Sequence, residues 1–183
     1  MEQLQSDETL LARFRNPGTK EAAFTAIVNK YKERLYWHIR RMVVIHEDAD
    51  DVLQNVFIKT WKGLEHFRAE SGLYTWLYRI STNESITHLQ NQKKKKAAIS
   101  FGNELDLTDQ VRADPYFDAT KIEWKLQLAI QQLPEQQRLI FNLRYFDEMP
   151  YQKMSEILGV TEGALKASYH HAAKKVENYL RKS

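Results

Sequence analysis

No cysteine occurs among the 183 residues. Disulfides, thiol nucleophiles and thiolate metal sites are thereby excluded, and the composition fits a reducing cytoplasm. No apolar run approaches the length of a membrane span. The opening residues, Met1 to Glu8, are too acidic and polar for a signal peptide. Excess charge is scarce as well. The 27 Lys and Arg against 24 Asp and Glu leave a net charge of only +3, so contact with a polyanion must come from local clusters. There is no Gly-rich phosphate loop, no nucleophile elbow and no His-Glu-x-x-His pair, so nothing points to catalysis, and no cofactor or metal is expected.

What is present is a foldable helical pattern. With 43% hydrophobic and 28% charged residues the chain is a folded soluble protein. Four Trp, nine Tyr and eight Phe supply core pieces and stacking surfaces. A short amphipathic piece (Leu4, Leu10, Leu11, Phe14) runs into Asn16-Pro-Gly, a turn signal. From Glu21 a long helix is predicted, since Phe24, Ile27, Val28, Tyr31, Leu35, Ile39, Met42 and Val43 recur at three- and four-residue spacing. His46-Glu-Asp-Ala-Asp-Asp supplies acids and an N-cap for a second helix, which carries Val52, Leu53, Val56, Phe57 and Trp61 to about Gly63. Glu65 to Gly72 reads as a loop. A third, aromatic-rich helix starts at Leu73 and ends in the lysine run Lys93 to Lys96.

Residues 97–120 lose helical period and mix acids, Gly and Pro. A stretch this long without period marks an extended linker and a domain boundary. Helices resume near Lys121, with the stripe Ile122, Leu126, Ala129, Ile130 and Leu133. Pro134 then opens the next helix, which carries Leu139, Ile140, Leu143, Tyr145 and Phe146.

The last 34 residues read as helix, tight turn, helix. Met154 and Leu158 lie one helical turn apart, and Leu165, Tyr169, Ala172 and Val176 continue an apolar stripe. Gly159 sits where a left-handed residue ends the first helix, and Thr161 is the candidate N-cap of the second. A helix-turn-helix places its second helix in the DNA major groove. Opposite the stripe that helix carries Lys166, Ala167, His170, His171 and Lys174, a cationic, hydrogen-bonding face open enough for phosphates and base edges. The two histidines count as hydrogen-bond groups more than as cations. The plain alternative is a helical hairpin with a solvated basic face.

Two other clusters carry possible chemistry. Glu47, Asp48, Asp50 and Asp51 lie beside His46; their spacing matches no metal motif, and they sit where acids favour a helix N-terminus. Tyr74, Trp76 and Tyr78, with Arg79, Asn83 and the lysine run, suit single-stranded bases, which stack on rings while cations hold the backbone. Part of that aromatic set is core.

Two helical modules, one with a helix-turn-helix and one with an aromatic and basic helix, separated by an irregular linker, resemble the sigma-70 family of bacterial RNA polymerase initiation factors, in its small extracytoplasmic-function (ECF) group. The resemblance covers roughly residues 20–96 and 122–181. Asp48-Ala-Asp-Asp-Val-Leu-Gln-Asn-Val-Phe-Ile-Lys-Thr-Trp looks like the family's region 2.2, which docks on the clamp helices of the polymerase β′ subunit. Tyr74-Thr-Trp-Leu-Tyr-Arg-Ile-Ser-Thr-Asn83 looks like region 2.3 and its continuation, which open the −10 promoter element. Leu133-Pro-Glu-Gln-Gln-Arg and Tyr151-Gln-Lys-Met-Ser-Glu-Ile-Leu-Gly-Val are similar to regions 4.1 and 4.2, whose helix-turn-helix reads the −35 element.

The resemblance implies roles. Asp48, Asp51, Gln54, Asn55 and Phe57 would bind polymerase. The loop with Phe67 and Arg68 would capture a base flipped from the non-template strand, beside Tyr74, Trp76, Arg79 and Asn83 at the −10 element. Lys166, Ala167, Ser168, His170, His171 and Lys174 would meet the −35 element. The linker would thread toward the RNA exit path. The implied partners are core RNA polymerase, through its β′ clamp helices and β flap, promoter DNA and an anti-sigma factor, with no membrane insertion of the chain itself. The recognition helix departs from the family's frequent Thr-Val-Lys-Ser-Arg-Leu-His-Arg-Ala: Ala164-Leu-Lys-Ala-Ser-Tyr-His-His-Ala172 lacks two arginines, which implies weaker direct contacts to guanine and phosphate.

The expected protein is all-α, with two small helical domains: residues 1–96 (docking and −10 melting) and 122–183 (−35 readout), joined by an extended linker, 97–121. The expected function is that of an alternative sigma factor, a cytoplasmic non-enzyme that gives polymerase promoter specificity. A stand-alone helix-turn-helix regulator with a helical sensor domain is the competing reading, and a metal-dependent nucleic-acid enzyme built on Asp48 the third.

Overall fold

The computed structural model describes residues 5–98 and 121–182. Leu4 and linker residues 99–120 lie outside them, as does the side chain of Ile122. The described residues hold eight α-helices and no strand. These are α1 (Asp7–Phe14), α2 (Lys20–Val43), α3 (His46–Leu64), α4 (Leu73–Ala98), α5 (Lys121–Gln131), α6 (Glu135–Tyr145), α7 (Tyr151–Leu158) and α8 (Glu162–Lys182). Apart from Val44–His46, the described residues up to Asn91 form one compact unit; those three and the described residues from Gln92 form the other.

In the first unit the apolar spacing of α2 becomes a buried stripe: Ala23, Ile27, Tyr31, Leu35, Ile39 and Met42. Val52 and Val56 of α3 and Leu73 and Leu77 of α4 are buried with them. An aromatic cluster closes one end. Trp61 meets Phe14 at 5.4 Å and Phe24 at 4.9 Å, both edge-on. The short helix α1 is capped by Ser6, whose side chain accepts from the Thr9 amide at 3.2 Å. Polar bonds pin it to α2: Asp7 accepts from the Tyr31 hydroxyl at 2.7 Å and pairs with Lys30 at 2.7 Å. Burial and the Asp7 carboxylate together push the Tyr31 phenol well above its ordinary pKa.

Two boundaries differ from expectation. α3 begins at His46 itself, so Glu47 and Asp48 lie inside its first turn and favour the helix dipole there, but no acid is the N-cap. α4 runs unbroken through the lysines to Ala98, because lysine is a good helix former and cations are favourable near a helix C-terminus.

The second unit packs Ala129, Ile130, Leu133, Phe141, Ala172 and Val176 into one core, with Leu126, Phe146 and Tyr169 along its edge. α7 and α8 form the expected helix-turn-helix. Gly159 is left-handed (φ 67°, ψ 24°), and its amide donates to the Ser155 carbonyl at 2.9 Å. Thr161 caps α8, its hydroxyl oxygen accepting from the Ala164 amide at 3.4 Å. The buried pair on α7 is Met154 and Ile157, while Leu158 is only half-buried. Leu165, Ala172 and Val176 of α8 are buried as the stripe predicts, and Tyr169 is half-buried.

Candidate nucleic-acid interface

Three surfaces gather the residues singled out above. On α8, Lys166, Ala167, His170, His171 and Lys174 are all exposed, and Ser168 is half-buried. The helix divides cleanly because its buried residues recur at seven and four positions, leaving the opposite face free of packing duties. The His170 and His171 rings stand 6.0 Å apart. Lys166 pairs with Glu162 at 3.6 Å one turn earlier.

Beside this face lies a feature that periodicity did not reveal. The Tyr151 ring, at the start of α7, has two cations near it: the Arg144 guanidinium at 5.2 Å and the Lys166 ammonium at 5.6 Å from its centroid. Arg144 also donates to the Met149 carbonyl at 3.2 Å, which fixes it across the turn between α6 and α7. Tyr169 meets Tyr151 at 6.5 Å, edge to face. Burial first, and then the neighbouring Tyr151, raise the Tyr169 phenol above its ordinary pKa. Only the tertiary approach of α6, α7 and α8 brings Arg144 and Tyr151 together with Lys166.

The second surface is the loop 65–72 and the start of α4. Arg68, Arg79 and Asn83 are exposed, and Tyr74 and Trp76 are half-buried. Phe67 is only 8% exposed. Its ring packs on Trp76 at 4.9 Å. Trp76 in turn lies so close to α3 that a Cβ at Gly63 would come within 2.8 Å of its ring. Glycine at 63 is therefore what lets the indole settle on the α3 backbone. Tyr78 is buried, its ring tilted by 36° against that of Tyr74 at 4.5 Å between centroids. The loop is held at several points: Arg15 donates to the Phe67 carbonyl at 3.4 Å, and Glu65 pairs with Lys20, which lowers the Glu65 pKa. Ala69 at the loop's tip is left-handed (φ 57°), a conformation costing an L-residue about 1 kcal/mol.

The third surface is α3. Asp51, Gln54 and Asn55 are exposed and share one face. Ile58 completes that face and is 47% exposed. It was missed in the sequence, although it falls outside the Val52 and Val56 stripe and so had no core role to explain it. Asp48 and Phe57 flank the face. Asp48 is half-buried, 3.3 Å from the His88 ring of α4. Phe57 is half-buried and edge-on to Phe24 at 6.4 Å. Among the described residues no group of three or more acids and histidines is placed to hold a metal ion. No helix among them is long and apolar enough to cross a membrane.

Comparisons with known proteins identify two regions along the chain. The model of Sigma-70 region 2 matches residues 27–95, and that of Sigma-70, region 4, matches residues 123–176. The RNA polymerase sigma-H factor of Pseudomonas aeruginosa is 29% identical over 96% of this chain and 94% of its own length. The ECF RNA polymerase sigma factor SigW of Bacillus subtilis is 29% identical over 87% of this chain and 89% of its own. Among solved structures, CnrH in complex with the cytosolic domain of CnrY superposes with a TM-score of 0.70 at 20% identity, covering 98% of this chain and 99% of that one. The sigma factor RpoE in complex with the anti-sigma factor NepR from Bartonella quintana gives 0.69 at 19% identity, covering 86% and 96%. With both regions matched in order along its length, and ECF sigma factors among its curated relatives, this chain belongs to the ECF group of the sigma-70 family.

Proposed function

We propose that this chain, an alternative sigma factor, docks on core RNA polymerase through the α3 face and reads promoter DNA with two separate surfaces. The observation that carries the reading is the division of labour on α8: one face builds the core and the other presents Lys166, Ala167, His170, His171 and Lys174 outward. That face enters the major groove at the −35 element, with Ser168 at its margin. Arg144 and Tyr151 lie beside Lys166 and add a second cation to the margin of this face.

At the −10 element Arg68, Arg79 and Asn83 contact the separated strand, and Tyr74 offers ring surface to its bases. Phe67 and Trp76 hold the capturing loop in place. On α3, Asp51, Gln54, Asn55 and Ile58 form the docking face for the β′ clamp helices, an apolar anchor within a polar rim. Asp48 and Phe57 fix its edges. Region 4 also meets the β flap. The units fall at 1–96 and 122–183, joined by linker 97–121. The chain makes no bonds itself; polymerase does. It works in the cytoplasm and is held inactive by an anti-sigma factor, as the complex of RpoE with NepR illustrates for a structural neighbour.

The test is to mix purified protein with core polymerase, recover the complex, and run transcription on genomic promoter fragments. Core binding with new promoter-specific transcripts supports the proposal. Tight sequence-specific DNA binding without polymerase, and no binding to active core, would overturn it in favour of a stand-alone regulator.

A further inference from the structure

The exposed face of α8 holds two side chains whose charge depends on pH, and their surroundings decide when they carry it. Of the six histidines, His38 shares a hydrogen bond with the Thr82 hydroxyl at 3.0 Å, and His88 lies 3.3 Å from Asp48. His170 and His171 are placed differently. Both are exposed, and among the described residues neither ring has a hydrogen-bond or ion-pair partner. Their rings meet each other at 6.0 Å. The groups around them are cationic. Lys166 and Lys174 lie one turn either side of His170, and Lys174 and Lys175 lie one turn beyond His171. From the neighbouring helices, the Tyr151 ring is approached by Arg144 and Lys166, and Gln137 accepts from Lys175 at 2.9 Å. The carboxylate of Glu162 stands 3.6 Å from Lys166. In the free chain these like charges oppose a further proton on either imidazole.

Position on the helix says what the two rings meet. Ala167 and Lys174 run down the middle of the exposed face, opposite Leu165, Ala172 and Val176. His170 and His171, successive residues about 100° apart around the axis, stand on either side of that line. A helix laid in the major groove turns its middle toward base edges and its flanks toward the two phosphate walls. A phosphate beside an imidazole stabilises the charged form, and histidine is the side chain that changes charge between about pH 5 and 8. We propose that His170 and His171 meet the −35 duplex as protonated, phosphate-binding groups, so that promoter binding takes up protons and weakens as pH rises through the histidine range. The proposal rests on the −35 assignment of α8 and adds a dependence on pH to it. A group that is more fully protonated in the complex than in the free chain makes affinity fall as pH rises, by up to about tenfold per unit for each proton taken up.

The test compares holoenzymes assembled with wild-type protein, H170Q/H171Q, H171R or K166A. Glutamine keeps hydrogen bonding but takes up no proton, and arginine stays charged throughout. Each holoenzyme is titrated at about pH 6 and about pH 8 with a natural promoter duplex and with one whose −35 element is scrambled, which subtracts the pH response of polymerase itself. Wild type is expected to lose about tenfold in −35-dependent affinity between the lower and the higher pH. H170Q/H171Q should lose almost nothing between them and match wild type at the higher pH, and H171R should keep at the higher pH much of what wild type loses. Parallel pH profiles for wild type and H170Q/H171Q, with −35-dependent binding intact, would overturn the proposal and make the histidines neutral hydrogen-bond groups. Unchanged −35-dependent binding at both pH values in H170Q/H171Q and in K166A would overturn it too, and would locate the failure in the −35 assignment.

Discussion

The two DNA surfaces proposed for this chain are built on opposite plans. On α8 the reading face and the packing face are separate sides of one helix: Leu165, Ala172 and Val176 are buried, while Lys166, His170, His171 and Lys174 stand clear. In the loop 65–72 and the first turns of α4 the two jobs fall on neighbouring side chains of one short segment. Phe67 and Trp76 pack on each other, and Trp76 on the backbone at Gly63, so they hold the loop in which Arg68 and Tyr74 would meet the separated strand. The difference follows from the ligand. A duplex presents groove edges at fixed spacing, so a rigid helix with free side chains suffices. A single strand must be bent and stripped of its stacking partners, which requires a shaped, pre-set pocket.

Substitutions that separate folding from binding would sharpen this comparison. The largest effect is expected for Leu165→Ala on the buried side of α8. It should cost about 4 kcal/mol in denaturant unfolding of the second unit and remove −35 recognition only as a consequence. Trp76→Ala should cost about 3 kcal/mol and also impair strand opening, followed by permanganate reactivity of the −10 thymines. If Trp76→Ala unfolds the protein no more easily than wild type, the shared-duty plan fails for the loop.

Smaller, purely functional losses are expected on the exposed faces. Ile58→Ala should weaken core polymerase binding by about 2 kcal/mol, read by competition against wild type, with an unchanged unfolding midpoint. Lys166→Ala should reduce −35-dependent binding by about 1 kcal/mol and lower the salt slope by about one, with stability within about 0.5 kcal/mol of wild type. A marked fall in stability with Lys166→Ala would show that the α8 face is not free of packing duties, and the contrast between the two surfaces would collapse.

The helix-turn-helix was legible in the chain almost residue by residue. Gly159 and Thr161 act through local rules, a left-handed C-cap and a side-chain N-cap, and the Leu165, Ala172 and Val176 spacing needs no partner to be read. The α3 face was only partly legible. Asp51, Gln54 and Asn55 follow from the family resemblance, but Ile58 does not: it lies off the Val52 and Val56 stripe, and only packing shows that it is left exposed. In the loop, composition alone could not separate Phe67, which is nearly buried, from Arg68, which is exposed. The end of α4 lies two residues beyond the lysine run, at Ala98, because lysine is a good helix former and a cation is favourable near a helix C-terminus.

The sequence by itself determined the helical class, the helix-turn-helix, the absence of thiol chemistry and the order of the two regions. Each of these depends on periodicity, composition or short-range backbone preference, and such signals survive in a one-dimensional string. The tertiary structure alone decided that Arg144, Tyr151 and Lys166 meet, that Trp76 rests on Gly63, and that Ile58 faces outward. Those outcomes depend on which helices cross and how closely, and side chains distant in sequence become neighbours only when buried apolar stripes force their helices together.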